Sequence, residues 1–207
     1  MLDVKRPWDA RLARFLIGPL KDSWVTPNHL TTLRLGVGLA AAAAFLPGRY
    51  ALSNVAALLL GLSNFIDHTD GELARISGRS SRLGHVYDIA SDAAVTILVF
   101  VAIGVGVSQH AVALPVAPVL LGTLAGSAIA LIFFLRMRIE AMAGKNAVRQ
   151  ASVGGFETED VLYLLPLVTL CNALTPFLIA ASVGAPLFAL WVTIDYRRTL
   201  PACTLPA

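Results

Sequence analysis

Residues 67–92 read DHTDGELARISGRSSRLGHVYDIASD, and this stretch carries four aspartates in a chain of which only 14% is charged. Asp67 and Asp70 are three positions apart, as side chains on one face of a helix are. Asp88 and Asp92 are four positions apart, with the same consequence. The first pair follows one apolar run and the second pair opens the next. Two adjacent antiparallel helices therefore bring the four carboxylates to one end of a helical bundle.

Four carboxylates in one place repel one another unless cations lie among them. Their oxygens are hard ligands that suit Mg²⁺, Mn²⁺ or Ca²⁺ rather than zinc. The alternative is a set of helix-end charges that water and nearby arginines satisfy. That alternative is weak for Asp88 and Asp92, because both fall inside the start of an apolar run, where ionisable groups are costly. The aspartates predict a divalent-metal site at the mouth of the bundle.

Small residues beside the aspartates predict a pocket for a nucleotide diphosphate. Gly71 and Ala74 leave a groove on the helix surface, along which a flat base has room to approach. Arg75 is placed to bind a phosphate through its guanidinium fork. Gly84 leaves space one turn before Asp88.

The composition indicates a membrane protein. Of the 207 residues 57% are hydrophobic, and the mean hydropathy is +0.72. Soluble domains are about 45–50% apolar even when glycine is counted. The length allows one compact domain without a separate soluble module. Cys171 and Cys203 have no partner at metal-ligand spacing, which argues against a zinc site or a disulfide framework.

Six apolar runs are long enough, or nearly so, for a helix that spans a bilayer, which needs about 20 residues. The second helix is expected to continue through the aspartates. The boundary between the last two is expected at Thr175 and Pro176. The runs are 30–46, 51–66, 86–107, 112–134, 161–174 and 177–194.

The connecting segments alternate in charge. The connections 47–50 and 108–111 are short, and Arg49 is the one arginine or lysine that they contain. The connections 67–85 and 135–160 are longer and contain several arginines or lysines each. The N-terminal segment and the tail are basic as well. By the positive-inside rule both termini and the aspartates face the cytoplasm. We expect an integral protein of a bacterial-type inner membrane.

The predicted fold class is all-α: an integral membrane bundle of six transmembrane helices with an N-terminal interfacial amphipathic helix. Residues 8–21 supply the amphipathic helix, because their apolar and charged side chains separate onto two faces. A frayed tail is the alternative. The residues Thr26-Pro27-Asn28 predict a cap before the first span. The expected divisions are a juxtamembrane segment 1–26, a six-helix domain 27–196 and a cytoplasmic tail 197–207.

The pattern D-x2-D-G-x2-A-R-x8-G-x3-D-x3-D is present without departure, with eight fixed positions from Asp67 to Asp92. It is the signature of the CDP-alcohol phosphotransferase (CDP-alcohol phosphatidyltransferase) family, which the chain closely resembles. Residues 27–34, PNHLTTLR, also look like the family's start of the first span. The resemblance implies a transferase of phospholipid synthesis, usually a homodimer, that uses Mg²⁺ or Mn²⁺, with two ions in each active site.

The motif match also implies a role for each fixed residue. Asp92 resembles the family's general base and also touches the second ion. The metal ligands that the match implies are Asp67, Asp70, Asp88 and Asp92. The positions implied to bind CDP are Gly71, Ala74, Arg75 and Gly84.

The residues around the motif are less sharply assigned. Asn28, Thr31 and Arg34 are expected to border the nucleotide. For Arg34 an equal alternative is that its side chain extends toward the headgroups, as long basic side chains at helix ends do. His68 and His85 occupy variable positions and are interpreted as surface residues rather than ligands, although histidine is a capable metal and phosphate partner.

The acceptor side is expected in the 135–160 connection and the neighbouring helix ends. Its positive charges suit a phosphorylated acceptor, although a role in setting topology or binding anionic lipid is favoured for them. Its acids suit a neutral polyol or a cationic amino alcohol, or they cap the fifth helix. The residues concerned are Arg136, Arg138, Lys145, Arg149, Glu159 and Asp160.

The predicted reaction transfers a phosphatidyl group from CDP-diacylglycerol to the hydroxyl of a small alcohol, with release of CMP. Direct attack is favoured over a phospho-enzyme, because the motif fixes no Ser, Cys or His. One alternative moves a phospho-head group from a soluble CDP-alcohol to a lipid acceptor. Another, from a different class, is a divalent-cation transporter. The expected partners are a CDP-linked lipid donor, an alcohol acceptor, membrane lipids and a second copy of the chain, with no nucleic acid.

Overall fold

The computed structural model describes residues 23–78, 81–110, 114–143 and 163–204, and within these ranges the regular secondary structure is entirely helical. This confirms the all-α prediction for the described residues. The amphipathic helix expected at 8–21 lies outside them, as does the greater part of the 135–160 connection. The helices are α1 (Pro27–Phe45), α2 (Tyr50–Ser77), α3 (Arg82–Ser108), α4 (Pro118–Ala143), α5 (Leu165–Leu170) and α6 (Leu174–Thr204).

Four of these helices are long and apolar enough to cross a membrane, namely α2, α3, α4 over Pro118–Ile139 and α6 over Leu174–Arg198. Helices of this kind are typical of an integral membrane protein. The 19-residue α1 is not among them, because polar side chains occupy its first two turns. The six residues of α5 rise only about 9 Å, too little to span by themselves.

Local sequence signals explain where α1 begins. Thr26 is its N-cap, and Pro27 follows in the first turn, where a proline is tolerated. The His29 backbone N–H donates to Thr26 Oγ1 at 3.4 Å, and His29 Nδ1 accepts from the Thr26 N–H at 3.3 Å. This reciprocal capping box satisfies two backbone donors. The predicted break before the first helix is therefore confirmed.

Helices α2 and α3 form the hairpin that carries the aspartates. As predicted, α2 continues past its apolar run and ends only at Ser77. Gly78 follows with a φ of 67°, a left-handed conformation that stops a helix and suits glycine. Ser81 then caps α3, its Oγ accepting from the Gly84 N–H at 3.0 Å. The short turn between the two helices keeps both pairs of aspartates at the same end of the bundle.

The helix ends differ from the predicted boundaries in three places. The chain turns between α5 and α6 at Asn172, with a φ of 52°, and Thr175 and Pro176 lie inside the first turn of α6. Pro176 fits there because the first turn of a helix leaves its backbone N–H groups without internal partners. Helix α4 begins at Pro118 and runs to Ala143, whereas the apolar run was 112–134. Helix α6 also extends through residues 197–204 of the expected tail.

The connections after α1, α3 and α5 meet at the end of the bundle opposite the aspartates. His110 Nε2 donates to the Gly48 carbonyl oxygen at 2.9 Å. Tyr50 Oη donates to the Leu170 carbonyl oxygen at 3.1 Å. Alternate connections of the described chain therefore lie at opposite ends, in the order that the loop charges predicted.

Glycines allow α3 and α4 to approach until their backbones touch. A methyl group at Gly122 would overlap the carbonyl oxygen of Phe100, and one at Gly104 would lie 2.5 Å from the carbonyl oxygen of Pro118. Close approach through small residues is how membrane helices gain van der Waals contact where apolar lipid gives no hydrophobic driving force. This contact anchors the aspartate hairpin to the rest of the bundle.

We predict that Gly122→Ala lowers the free energy of unfolding by about 1–3 kcal/mol, because the added carbon forces two backbones apart. Gly184→Ala on α6 is the matched control, since a methyl group there meets nothing within 4 Å. Thermal unfolding in detergent measures both variants. Equal unfolding midpoints for the two would contradict the proposed backbone contact.

Candidate metal and nucleotide site

Three carboxylates converge at one end of the bundle. Asp67 and Asp70 lie on the extension of α2 beyond its apolar run, and Asp88 lies in the second turn of α3. One oxygen from each of the three lies within 4.8 Å of the others. The structure thus brings together, from two helices, three of the four aspartates that the sequence singled out.

Asp70 is the most enclosed of the three. Thr31 Oγ1 on α1 donates to Asp70 Oδ2 at 2.7 Å, and both residues are buried. The same hydroxyl also lies 3.2 Å from the Pro27 carbonyl oxygen of its own helix. Thr31, expected to border a nucleotide, contacts an aspartate and links α1 to α2. Its periodic position on α1 gave no sign of which helix it would face.

Asp88 supplies an oxygen that is ready for a cation. Its Oδ1 is buried and accepts no hydrogen bond from the described residues. Arg34 Nη1 lies 3.5 Å from it. A buried carboxylate oxygen needs a donor or a cation. With three hard oxygen donors this close together, the residues present fit Mg²⁺ or Mn²⁺.

Arg34 points into the carboxylates and does not extend toward the headgroups. It is only 3% exposed and forms an ion pair with Asp67. Its Nη2 lies 3.7 Å from Asp92 Oδ1 and donates to the Asp88 carbonyl oxygen at 3.4 Å. The snorkelling alternative is therefore wrong. Asp92 is not one of the three clustered carboxylates, and Arg34 connects it to them.

The groove positions on α2 differ in what surrounds them. Gly71 is exposed, and a methyl group there would meet no described atom within 4 Å. Ala74 is half-buried, and Arg75 is 61% exposed. Arg75 Nη1 donates to Glu72 Oε2 at 2.5 Å. Sequence reasoning missed Glu72, a buried acid, although its i,i+3 spacing to Arg75 was a signal that could have found it.

Gly84 serves helix packing at the start of α3. A methyl group on Gly84 would lie 2.7 Å from Asn28 Oδ1 and 3.0 Å from Ser81 Oγ. The space expected beside Gly84 is thus taken by the Asn28 side chain from α1. His85, on the same helix, is exposed.

Two of the residues expected on the acceptor side lie on the described part of α4. Arg136 is half-buried and Arg138 is exposed, both near the end of α4. Helix α4 packs against α3 and α6. The remaining members of that set lie outside the described residues: Lys145, Arg149, Glu159 and Asp160.

Fold and site together define a helical membrane protein with a carboxylate cluster at one end of its bundle whose geometry suits a cation. The family model for CDP-alcohol phosphatidyltransferase matches residues 24–195. The chain therefore belongs to the CDP-alcohol phosphatidyltransferase family and is an enzyme, a CDP-alcohol phosphotransferase. Membership of a family of transferases gives no support to the transporter alternative.

Two known proteins illustrate the relationship. A bifunctional IPC transferase and DIPP synthase of Rubrobacter xylanophilus is 29% identical over 142 residues, which are 69% of this chain but only 30% of that protein. The phosphatidylinositol phosphate synthase PgsA1 of Mycobacterium tuberculosis shares the fold. Its complex with manganese and citrate has a TM-score of 0.57 at 23% identity, covering 93% of this chain and 87% of that one. Its complex with CDP-DAG has a TM-score of 0.54 at 24% identity, covering 93% and 92%.

We predict that Thr31→Val lowers the free energy of unfolding by about 1.5–3 kcal/mol, because buried Asp70 loses a hydrogen bond to a charged group. Thr32→Val is the matched control. Thr32 is exposed and bonds only to the Asn28 carbonyl oxygen and the Tyr87 hydroxyl among the contacts described. Chemical unfolding in detergent with EDTA measures both. A loss no greater at Thr31 than at Thr32 would contradict the buried contact.

Proposed function

We propose that this protein transfers a phosphatidyl group from CDP-diacylglycerol to the hydroxyl of a small alcohol, with release of CMP. The observation that carries the proposal is the convergence of oxygens from Asp67, Asp70 and Asp88 within 4.8 Å of one another. Family membership supports a CDP-linked donor. The M. tuberculosis enzyme of the same fold, whose structures contain manganese and CDP-DAG, supports a lipid donor and a divalent ion.

The proposed setting is the cytoplasmic face of a bacterial-type inner membrane. We propose that the membrane domain covers 27–196 and that both of its ends lie on that face, with 1–26 along the membrane surface and 197–207 following the domain. The family match over residues 24–195 supports the domain limits. The meeting of alternate connections at the far end of the bundle supports the orientation. A homodimer is proposed on the family resemblance.

The proposed metal ligands are Asp67, Asp70, Asp88 and Asp92, holding two Mg²⁺ or Mn²⁺ ions. Bound ions would neutralise the charge of the diphosphate and so make CMP a better leaving group. The chain contributes the geometry. Asp70 is held by Thr31, and Asp67, Asp88 and Asp92 lie around the Arg34 guanidinium.

Asp92 is the proposed general base. Its side chain is 43% exposed, which leaves it accessible to a hydroxyl, and it lies one helical turn beyond Asp88. As the acceptor oxygen forms its bond to the phosphatidyl phosphorus, the bond from that phosphorus to the CMP oxygen breaks. The hydroxyl proton passes to the Asp92 carboxylate. A base placed beside the nucleophile typically contributes a factor of about 10²–10⁴.

The nucleotide is proposed to lie along α2. Open space over Gly71 gives a base or ribose access to the helix backbone. Arg75 is exposed and paired with Glu72, and we propose that it exchanges this pair for a phosphate when the nucleotide binds. Ala74 and Asn28 complete the proposed edge of this site. Acceptor recognition is proposed for the region of Arg136 and Arg138 and the connection that follows α4.

The test supplies vesicles containing the full chain with labelled CDP-diacylglycerol, Mg²⁺ and a panel of polyols, phosphorylated polyols and amino alcohols. We expect CMP release that depends on one acceptor class, together with a labelled lipid product. Asp92→Asn is expected to lower the rate at least about 100-fold. Asp195→Asn on α6, outside the carboxylate cluster, is the matched control.

Other outcomes of this test decide against the proposal. If CMP is released only when a soluble CDP-alcohol and diacylglycerol are supplied, the donor is the soluble CDP-alcohol and the proposed lipid donor is wrong. Full activity of Asp92→Asn would remove Asp92 as the base.

We predict that Gly71→Ala lowers affinity for CDP at least about tenfold without loss of stability. The added methyl group meets no described protein atom, so any effect on binding comes from the ligand. Gly61→Ala is the control, since Gly61 lies on the same helix with equally open space. Alanine in place of glycine should raise helix stability by up to about 1 kcal/mol in both variants. Calorimetric titration with CDP measures affinity, and equal affinities would place the nucleotide elsewhere.

A further inference from the structure

We infer that the Arg34 guanidinium, a cation fixed to α1, holds Asp67, Asp88 and Asp92 together in the metal-free protein. Divalent ions displace this guanidinium from the carboxylates when they bind. Arg34 is a positioning residue with two effects. Its charge keeps the metal site formed when no metal is bound, and the same charge lowers the affinity of the site for metal. The inference rests on the proposed metal site and deepens it.

The contacts of Arg34 carry the inference. Its Nη1 pairs with Asp67 and lies 3.5 Å from Asp88 Oδ1, and its Nη2 lies 3.7 Å from Asp92 Oδ1. One guanidinium thus faces carboxylates from two different helices. Asp67 and Asp88 also belong to the three-carboxylate cluster. Arg34 therefore neutralises two of the residues that are suited to bind a metal.

The backbone of Arg34 is held in place independently of these ion pairs. Ser63 Oγ on α2 donates to the Arg34 carbonyl oxygen at 3.1 Å. One turn further along α1, a methyl group on Gly38 would lie 2.6 Å from Val95 of α3 and 3.2 Å from Ser63 Oγ. At Gly38, helix α1 therefore packs tightly against both α2 and α3. The guanidinium has a fixed attachment point from which to reach the carboxylates.

Electrostatics sets the direction of the effect. Asp67, Asp88 and Asp92 without a cation repel one another, and a buried arginine needs carboxylates around it. The attraction between the Arg34 guanidinium and these carboxylates stabilises the metal-free arrangement. A divalent ion at the same carboxylates is repelled by a guanidinium a few ångströms away. Removing the Arg34 charge should therefore loosen the metal-free protein and tighten metal binding.

The experiment measures Mn²⁺ binding to the full chain in detergent, by the electron paramagnetic resonance signal of free Mn²⁺, and the unfolding midpoint in EDTA. Arg34→Met is expected to bind Mn²⁺ about tenfold more tightly and to unfold at a lower temperature in EDTA. Arg34→Gln, which keeps hydrogen-bond donors, should show the same tighter binding if the Met variant does not fold. Arg34→Lys, which keeps the charge, should bind Mn²⁺ like the unmodified protein.

Arg82→Met is the matched control. Arg82 lies at the start of α3 near the same end of the bundle, is exposed, and its replacement removes an equal charge. Its Mn²⁺ affinity should be unchanged. If Arg34→Met and Arg34→Gln bind Mn²⁺ with unchanged or lower affinity, the inference is overturned.

Asp88→Asn separates this inference from the proposed function. Loss of Mn²⁺ binding in Asp88→Asn, together with unchanged affinity in the Arg34 variants, would overturn the role of Arg34 and leave the metal site intact. Unchanged Mn²⁺ binding in Asp88→Asn would overturn the metal site itself, and the inference with it.

Discussion

Repulsion among carboxylates gathered at the end of a membrane bundle is the constraint on which the rest of this structure depends. Like charges a few ångströms apart in a partly desolvated place require compensating cations. The protein supplies one of its own, the buried Arg34, and among the described residues none donates a hydrogen bond to one carboxylate oxygen of Asp88. The site, as proposed, is preformed and suited to divalent ions, as metal-assisted chemistry on a diphosphate requires.

Helix α1 has a larger part in the site than its length suggests. It contributes Thr31 to Asp70 and Arg34 to the other carboxylates, and Gly38 lets it approach α2 and α3 closely. Two of the polar side chains that lower its hydropathy, Thr31 and Arg34, contact the aspartates. The weak apolar character of α1 therefore comes in part from side chains that contact the carboxylates.

Much of the fold was predictable because its causes are local. The capping box at Thr26, the extension of α2 through the aspartates and the alternation of connections all follow from neighbouring residues and loop charge. The turn at Asn172 was missed because a lone asparagine is a weaker signal than the proline that follows it. The packing role of Gly84 was missed because only the position of Asn28 on another helix reveals it.

By itself the sequence determined the chemistry available: a motif of aspartates at helical spacing, flanked by glycine and arginine, in a chain apolar enough for a membrane. That information is local, since spacing along one helix decides which side chains share a face. Only the tertiary structure decided which side chains meet across helices. It turned Arg34 inward to the carboxylates, paired Thr31 with Asp70 and set Asp92 apart from the three clustered acids. Such contacts depend on the rotation and separation of packed helices, which no single segment encodes.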